Sequence, residues 1–235
     1  MPIDPKIRVV PRWGMRLRRV ETARPGPTTR FGGQPHFPGE PVWPLHPNLG
    51  LPLTFLGQIA VPATIAGDGT WLAHIFIDLT PEGLVGDPDA NQGWATGAVI
   101  VHPRGRWWGP TDARLTGPTC PHAWPDEWPS RDPERERLLP GPQFRFIVSE
   151  VDLVAGADPE VWPRDTYFET TNDDWNKVGG TPLTLQQGEG YFTERGWRFL
   201  ASFGAEEVGN EMGDAAHCSV WVHPDGRGAL AVDSH

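Results

Sequence analysis

Cys120-Pro121-His122 and His217-Cys218 each set a thiol beside an imidazole, the two ligand types that zinc prefers. These are the chain's only two cysteines, so no C-x2-4-C pair anchors a structural site, and the expectation is no metal and no cofactor. The same pairs could be a nucleophile and its base. Neighbouring strand residues point to opposite faces, however, and His223, five positions beyond Cys218, also falls on the opposite face. Cys218 therefore reads as a buried strand residue and Cys120 as a loop thiol. None of the five serines sits in a G-x-S-x-G elbow, so serine acyl transfer has no support.

Asp214, in MGDAAH ahead of an apolar run, is the most informative carboxylate. It reads first as a turn residue whose carboxylate accepts backbone N–H groups. Alternatively it lines a cleft with His36, Trp43 and Gln58, and His217 would face the same cleft in an enzyme or small-ligand binder. Asp87 with Asp89, and Asp173 with Asp174, read as solvated loop pairs without an EF-hand pattern. Trp107, Trp108, Trp124 and Trp128 gather in and before a proline-rich stretch. They either pin that loop to the body or offer aromatic contact area to a partner protein or a sugar.

The elements that must position these residues are mostly strands. The chain has 235 residues, with 28 glycines, 27 prolines and 12 tryptophans, which points to a loop-rich globular protein whose core leans on aromatics. Period-2 alternation and turn residues mark strands at Arg16 to Val20, Thr54 to Ala60, Trp71 to Leu79, Ala98 to His102, Phe144 to Val154, Trp197 to Phe203 and Cys218 to His223. Short helices are expected over Asp132 to Leu139 and Asn172 to Lys177, each with a capping residue at its start. The stretch at about 111–142 reads as a long surface excursion between a first half (about 1–110) and a second half (about 143–235) of one domain.

Charge is uneven. The net charge is −10, yet residues 1–30 hold eight Lys or Arg against Asp4 and Glu21, leaving the remainder strongly acidic. An acidic body argues against nucleic acid as a partner; only the basic N-terminal arm is a candidate, and pairing with the acidic body is the simpler use for it. WGMRLRRV, with Trp13, Met15 and Leu17 alternating with arginines, reads as an edge strand protected by positive charge. No secretory leader or membrane span is expected: the uncharged run from Pro41 to Gly67 is broken by prolines, Asn48 and Gln58, and the default setting is cytoplasmic.

The chain also echoes itself. FGGQP at 31–35 returns as VGGTP at 178–182; TFLGQI (54–59) and AHIFIDL (73–79) follow the first, RFLASF (198–203) and CSVWVHP (218–224) the second. VIVHPRG (99–105) and VWVHPDG (220–226) share a further pattern. The paired glycines suit backbone at positive φ, and the proline after them suits an extended exit. Neither pair opens a helix, so a phosphate-cradling loop is not indicated.

RFGGQPHFPGEPVWP followed by LPLTFLGQI, then KVGGTP and MGDAAHCSVWV, resembles the YwqG-like family, a bacterial domain family of unknown function. The resemblance spans about residues 16–224. Ala216 stands where that family has a glycine after Asp214, and Ser202-Phe203 replace its second Gln-Ile. The resemblance implies an α+β fold, mainly antiparallel β with few short helices and two related halves, and it implies no established activity; some relatives are associated with toxin and immunity loci. The resulting expectation is a non-enzymatic binding module for a protein partner, of immunity type, with a small-ligand binder or hydrolase-like enzyme as the alternative.

Overall fold

The computed structural model of the chain describes residues 9–20, 24, 26–46, 49–66, 71–77, 95–102, 148–159, 175–182, 189–204 and 217–233. Ten strands run in the order β1 (Val9–Val20), β2 (Arg30–Phe31), β3 (Thr54–Val61), β4 (Trp71–Ile77), β5 (Ala95–His102), β6 (Val148–Pro159), β7 (Lys177–Gly179), β8 (Arg198–Gly204), β9 (His217–Val222) and β10 (Arg227–Asp233). Among the described residues two short helices have full bounds: α1 (Ala63–Ala66) after β3 and α2 (Glu189–Glu194) before β8. All strand pairs are antiparallel and close into one barrel of order β1-β6-β2-β3-β4-β5-β10-β9-β8-β7. Closure gives every strand a neighbour on both sides, although β1 meets β7 only at residues 12–14 and β6 meets β2 only at 149–150.

Alternation along each strand sends one set of side chains inward. Met15, Phe31, Ile59, Ile75, Val99, Val178, Phe203, Cys218, Val220 and Leu230 fill the interior as one apolar cluster. Phe31 and Phe203, from opposite halves of the chain, meet with ring centroids 4.8 Å apart, so the barrel is a packed core and not a channel. Two further clusters lie on the outer face, one over β3, β4 and β5 (Phe37, Leu53, Phe55, Phe76) and one over β8, β9 and β10 (Phe192, Trp221, Ala229).

Each expected strand is present within the described residues, with shifted ends. The two-residue β2 and three-residue β7 are too short for periodicity to reveal, and β10 went unseen because GRGALAV carries little polar alternation. The expected fold, mainly antiparallel β with few short helices, is present, closed into a barrel. Two expectations need correction. The N-terminal strand is not an edge: β1 pairs with β6 on one side and β7 on the other. Of the expected helix at 172–177, residues 172–174 lie outside the described residues and Trp175 is helical, but Lys177 opens β7, where strand pairing to β1 and β8 satisfies its backbone. The expected helix at 132–139 and the excursion at 111–142 lie outside the described residues.

The basic arm is answered within the molecule. The β1–β6 register sets Arg18 opposite Glu150 and Arg16 opposite Asp152. Arg18 donates to Glu150 (2.8 Å), and Arg12 lies 3.1 Å from Asp158. The paired glycines adopt the positive φ expected of them: 73° and 67° at Gly32 and Gly33, 72° and 79° at Gly179 and Gly180. At Gly180 a side chain is excluded twice over, since a Cβ there would also strike the Asp158 carboxylate.

Candidate functional site

On the outer face of the first half, alternation aligns Gln58 of β3 with His74 of β4, and Leu72 of β4 with His102 of β5. The turn at Gly32-Gly33 then lays residues 34–37 back over this surface. Buried Gln58 is its junction. Its Oε1 accepts from the His36 backbone N–H (3.0 Å) and from the Arg30 guanidinium (3.3 Å), and its Nε2 donates to the carbonyls of Thr28 (2.9 Å) and Gly26 (3.3 Å). Arg30 is also buried; it donates to the carbonyls of Gln34 and Arg24, tying down the residue after the glycine pair. Burial lowers the Arg30 pKa to about 10, with the Glu150 charge opposing the shift.

Three histidines extend the network. His74 Nε2 lies 2.9 Å from the His36 carbonyl oxygen, and His102 Nε2 lies 3.0 Å from His74 Nδ1. A carbonyl only accepts, so the His74 proton is assigned to Nε2, and Nδ1 must accept from His102 Nε2–H. His36 Nδ1 in turn accepts from the Gly26 N–H at 3.1 Å. The Gly26 bond requires a neutral His36 ring and the His102 bond, as assigned, a neutral His74 ring, whereas His74 Nε2–H donates to the His36 carbonyl in either charge state. Burial, reinforced by Arg30, lowers the His36 pKa to about 4; burial, then His102, lowers that of His74 to about 3. Burial also lowers that of His102.

Above the histidines the chain forms an aromatic cover and a hairpin. Phe37 meets His74 edge-on at 4.5 Å, and Trp43 meets Phe76 edge-on at 5.2 Å while donating its Nε1–H to the Leu53 carbonyl (2.7 Å). Beyond Trp43 the backbone is cross-braced by Leu53 N–H to Pro44 O (2.9 Å), His46 N–H to Leu51 O (2.7 Å) and Gly50 N–H to His46 O (2.9 Å). This braced hairpin holds Val42, Leu45, Leu49 and Leu51 in solvent, each between 48% and 58% exposed.

The second half is built differently. Its buried cation is Lys177, whose Nζ is 2.5 Å from Asp158; the same carboxylate accepts the Thr181 N–H (3.1 Å) after the second glycine pair. Ser202, opposite Lys177 on β8, donates to the Trp175 carbonyl (2.8 Å). Trp221 stacks on Phe192 of α2 at 4.8 Å and 6°. His217 packs edge-on against Trp175 at 5.1 Å; burial lowers its pKa to about 4, and its Nε2 is buried without a hydrogen-bond partner among the described residues.

The structure thus brings His36, Trp43 and Gln58 onto one surface. His217 sits on β9, separated from β3 by β4, β5 and β10. Asp214, Trp107, Trp108, Trp124, Trp128, Cys120 and His122 lie outside the described residues. Cys218 points into the apolar interior, where burial pushes its thiol pKa far up and holds it in the unreactive form. Sequence reasoning missed Arg30, His74, His102, Lys177 and Asp158. His74 alone had a visible signal, a lone polar ring inside the apolar run LAHIFI.

These features define a closed, ten-stranded antiparallel barrel carrying one outer surface of buried polar and aromatic groups with a braced apolar hairpin above it. Comparison of the chain with protein-family models and with curated proteins finds no match. Among the described residues no cluster of three His, Cys, Asp or Glu could hold a metal ion, and no helix is long and apolar enough to cross a membrane.

Proposed function

We propose that this protein is a non-enzymatic binding module, built from two related halves, that docks a protein partner through the exposed side chains of Val42, Leu45, Leu49 and Leu51. The carrying observation is the exposure of Val42, Leu45, Leu49 and Leu51 on a hairpin whose conformation is set by its own hydrogen bonds. Preorganised apolar side chains bind without a large ordering cost, and such patches on a surface mark interaction sites. Beneath, Gln58, His36, His74 and Arg30 bond one another and backbone, while Thr28 Oγ1, Arg30 Nε and Gln34 Oε1 are buried without a hydrogen-bond partner among the described residues.

Several features support the two-halves reading, which the YwqG-like resemblance also implies; the immunity-type setting is proposed on that resemblance alone. Adding five to each strand number from β1 to β5, and subtracting five from the rest, leaves the cyclic strand order unchanged. The β3–β4 ladder slips between Phe55 and Gly57, the β8–β9 ladder between Phe199 and Ala201, an offset of 144 residues at both positions. Phe55 and Phe76 meet at 5.5 Å, as do Phe199 and Trp221. Buried Arg30 and Lys177 each stand two positions before a positive-φ glycine pair.

The test is quantitative affinity capture with the wild-type chain and a Leu45→Asp/Leu51→Asp variant as baits. Both side chains are exposed, so the variant is expected to melt as the wild type does. Proteins captured by the wild type should bind the variant roughly 30-fold or more weakly, since charge at an apolar anchor costs a hot spot or more. Equal recovery by both baits would rule out the hairpin.

A further inference from the structure

We infer that the outer edge of β6 is a self-association site, at which the stretch 153–157 pairs antiparallel with the same stretch of a second copy of this chain. This goes beyond the docking reading and does not depend on the apolar hairpin. Backbone register locates the site. The Val151 N–H donates to the Thr29 carbonyl (3.1 Å), so the odd-numbered residues of β6 aim their backbone groups away from β1 and the even-numbered ones towards it. Pairing with β2 stops there. Among the described residues no strand meets Leu153, Ala155 or Ala157 on that side, and they present N–H and C=O groups in a row that ends at Pro159, which has no N–H.

This row lacks the usual protection of an edge. Natural edge strands are kept from pairing by charge, proline, a bulge or shortness. LVAGA at 153–157 has no charge and no proline, and β6 runs for 12 residues against β1 without a register shift. Residues 154–157 are exposed, Val154 at 41%. The unpaired end of β1 differs: past Met15, whose N–H reaches the Asn176 carbonyl, it carries Arg16 and Arg18, both exposed.

A second copy fits because the stretch complements itself. With Ala155 opposite its own counterpart across a two-fold axis, the two alanines exchange both backbone bonds, as do Leu153 and Ala157 of the second copy, so every free group in the row finds a partner. Moving the axis to Val154 sets Ala157 against Val151, whose N–H is already given to Thr29; moving it to Gly156 sets Leu153 against Pro159. Volumes match on both faces: Leu153 stands opposite Ala157 of the second copy, and Val154 opposite Gly156. The Arg12 side chain lies over Gly156, where a Cβ would come within 3.1 Å of Nε, on its way to Asp158, and Val154 of the second copy covers its stem. Asp152 comes opposite Asp158 of the second copy, whose charge Lys177 and Arg12 neutralise.

Sedimentation velocity of the full chain tests this. An edge pairing this short buries less than a standard interface, and each copy carries a net charge of −10, so a weak dimer is expected, half formed at roughly 10–100 µM. Ala155→Pro removes the central N–H without touching a bond of the barrel, because that group faces away from β1; association should weaken by roughly 30-fold or more while the barrel melts as the wild type does. Should that variant not fold, Ala155→Lys decides: it sets like charges directly opposite each other across the axis and should weaken the dimer as much. Amide exchange followed by NMR reads the register. Leu153, Ala155 and Ala157 should gain protection as concentration rises, whereas Asp152, Val154 and Gly156, bonded to β1, are protected throughout. A chain that stays monomeric to about 300 µM, or a dimer that these variants leave intact, would overturn the inference. So would a monomer that captures another protein only while Ala155 is unchanged, since a foreign strand would then occupy the edge.

Discussion

Replacing Asp158 with alanine is expected to destabilise the barrel by about 3–5 kcal/mol, because it removes the carboxylate against which a buried ammonium is held. The Lys177 side chain is 0% exposed and that of Asp158 2%, with 2.5 Å between Nζ and Oδ2. Asp158 also accepts the Thr181 N–H and neutralises Arg12, so one carboxylate joins β1, β6 and the second glycine turn. For a chain of this size the loss corresponds to roughly 6–20 °C in melting temperature. The double change Asp158→Leu/Lys177→Met should recover at least half of it, since removing both charges removes the uncompensated one. Chemical denaturation of the two variants measures this. A cost below about 1 kcal/mol for the single change would mean that the pair is not buried as described.

Changing Gln58 to leucine is expected to cost about 3–6 kcal/mol, because the apolar side chain fits the space but abandons two donors and two acceptors. The Arg30 guanidinium, the His36 N–H and the carbonyls of Gly26 and Thr28 all lose a partner in a buried site. The corresponding change in the second half, Ser202→Ala, removes one bond to the Trp175 carbonyl and should cost about 1 kcal/mol. Comparing the two melts tests whether the first half's outer surface depends on a polar junction that the second half lacks. Similar small losses for both would show that Gln58 is not that junction.

The glycine pairs illustrate what a sequence states directly. Two glycines followed one residue later by proline need a backbone that other residues avoid, and all four have positive φ. Alternation likewise places Ile59, Ile75 and Phe203 on one face without any knowledge of neighbours. The polar junction was half legible. His36, Trp43 and Gln58 stood out in the first glycine-proline block, but His74 and His102 are 28 residues apart and meet only because β4 and β5 pair.

By itself, then, the order of residues determined the local events: which segments extend, which face each side chain takes, and where the chain must turn. Those depend on φ/ψ preference and a period of two, properties of a few adjacent residues. The tertiary structure alone decided that β1 lies between β6 and β7, that ten strands close into a barrel, and that Arg30, Lys177 and three imidazoles lose their water. Pairing between distant strands carries no local signature. Desolvation depends on what covers a residue, so the same arginine or histidine is a surface charge or a buried fastening according to the chain that folds over it.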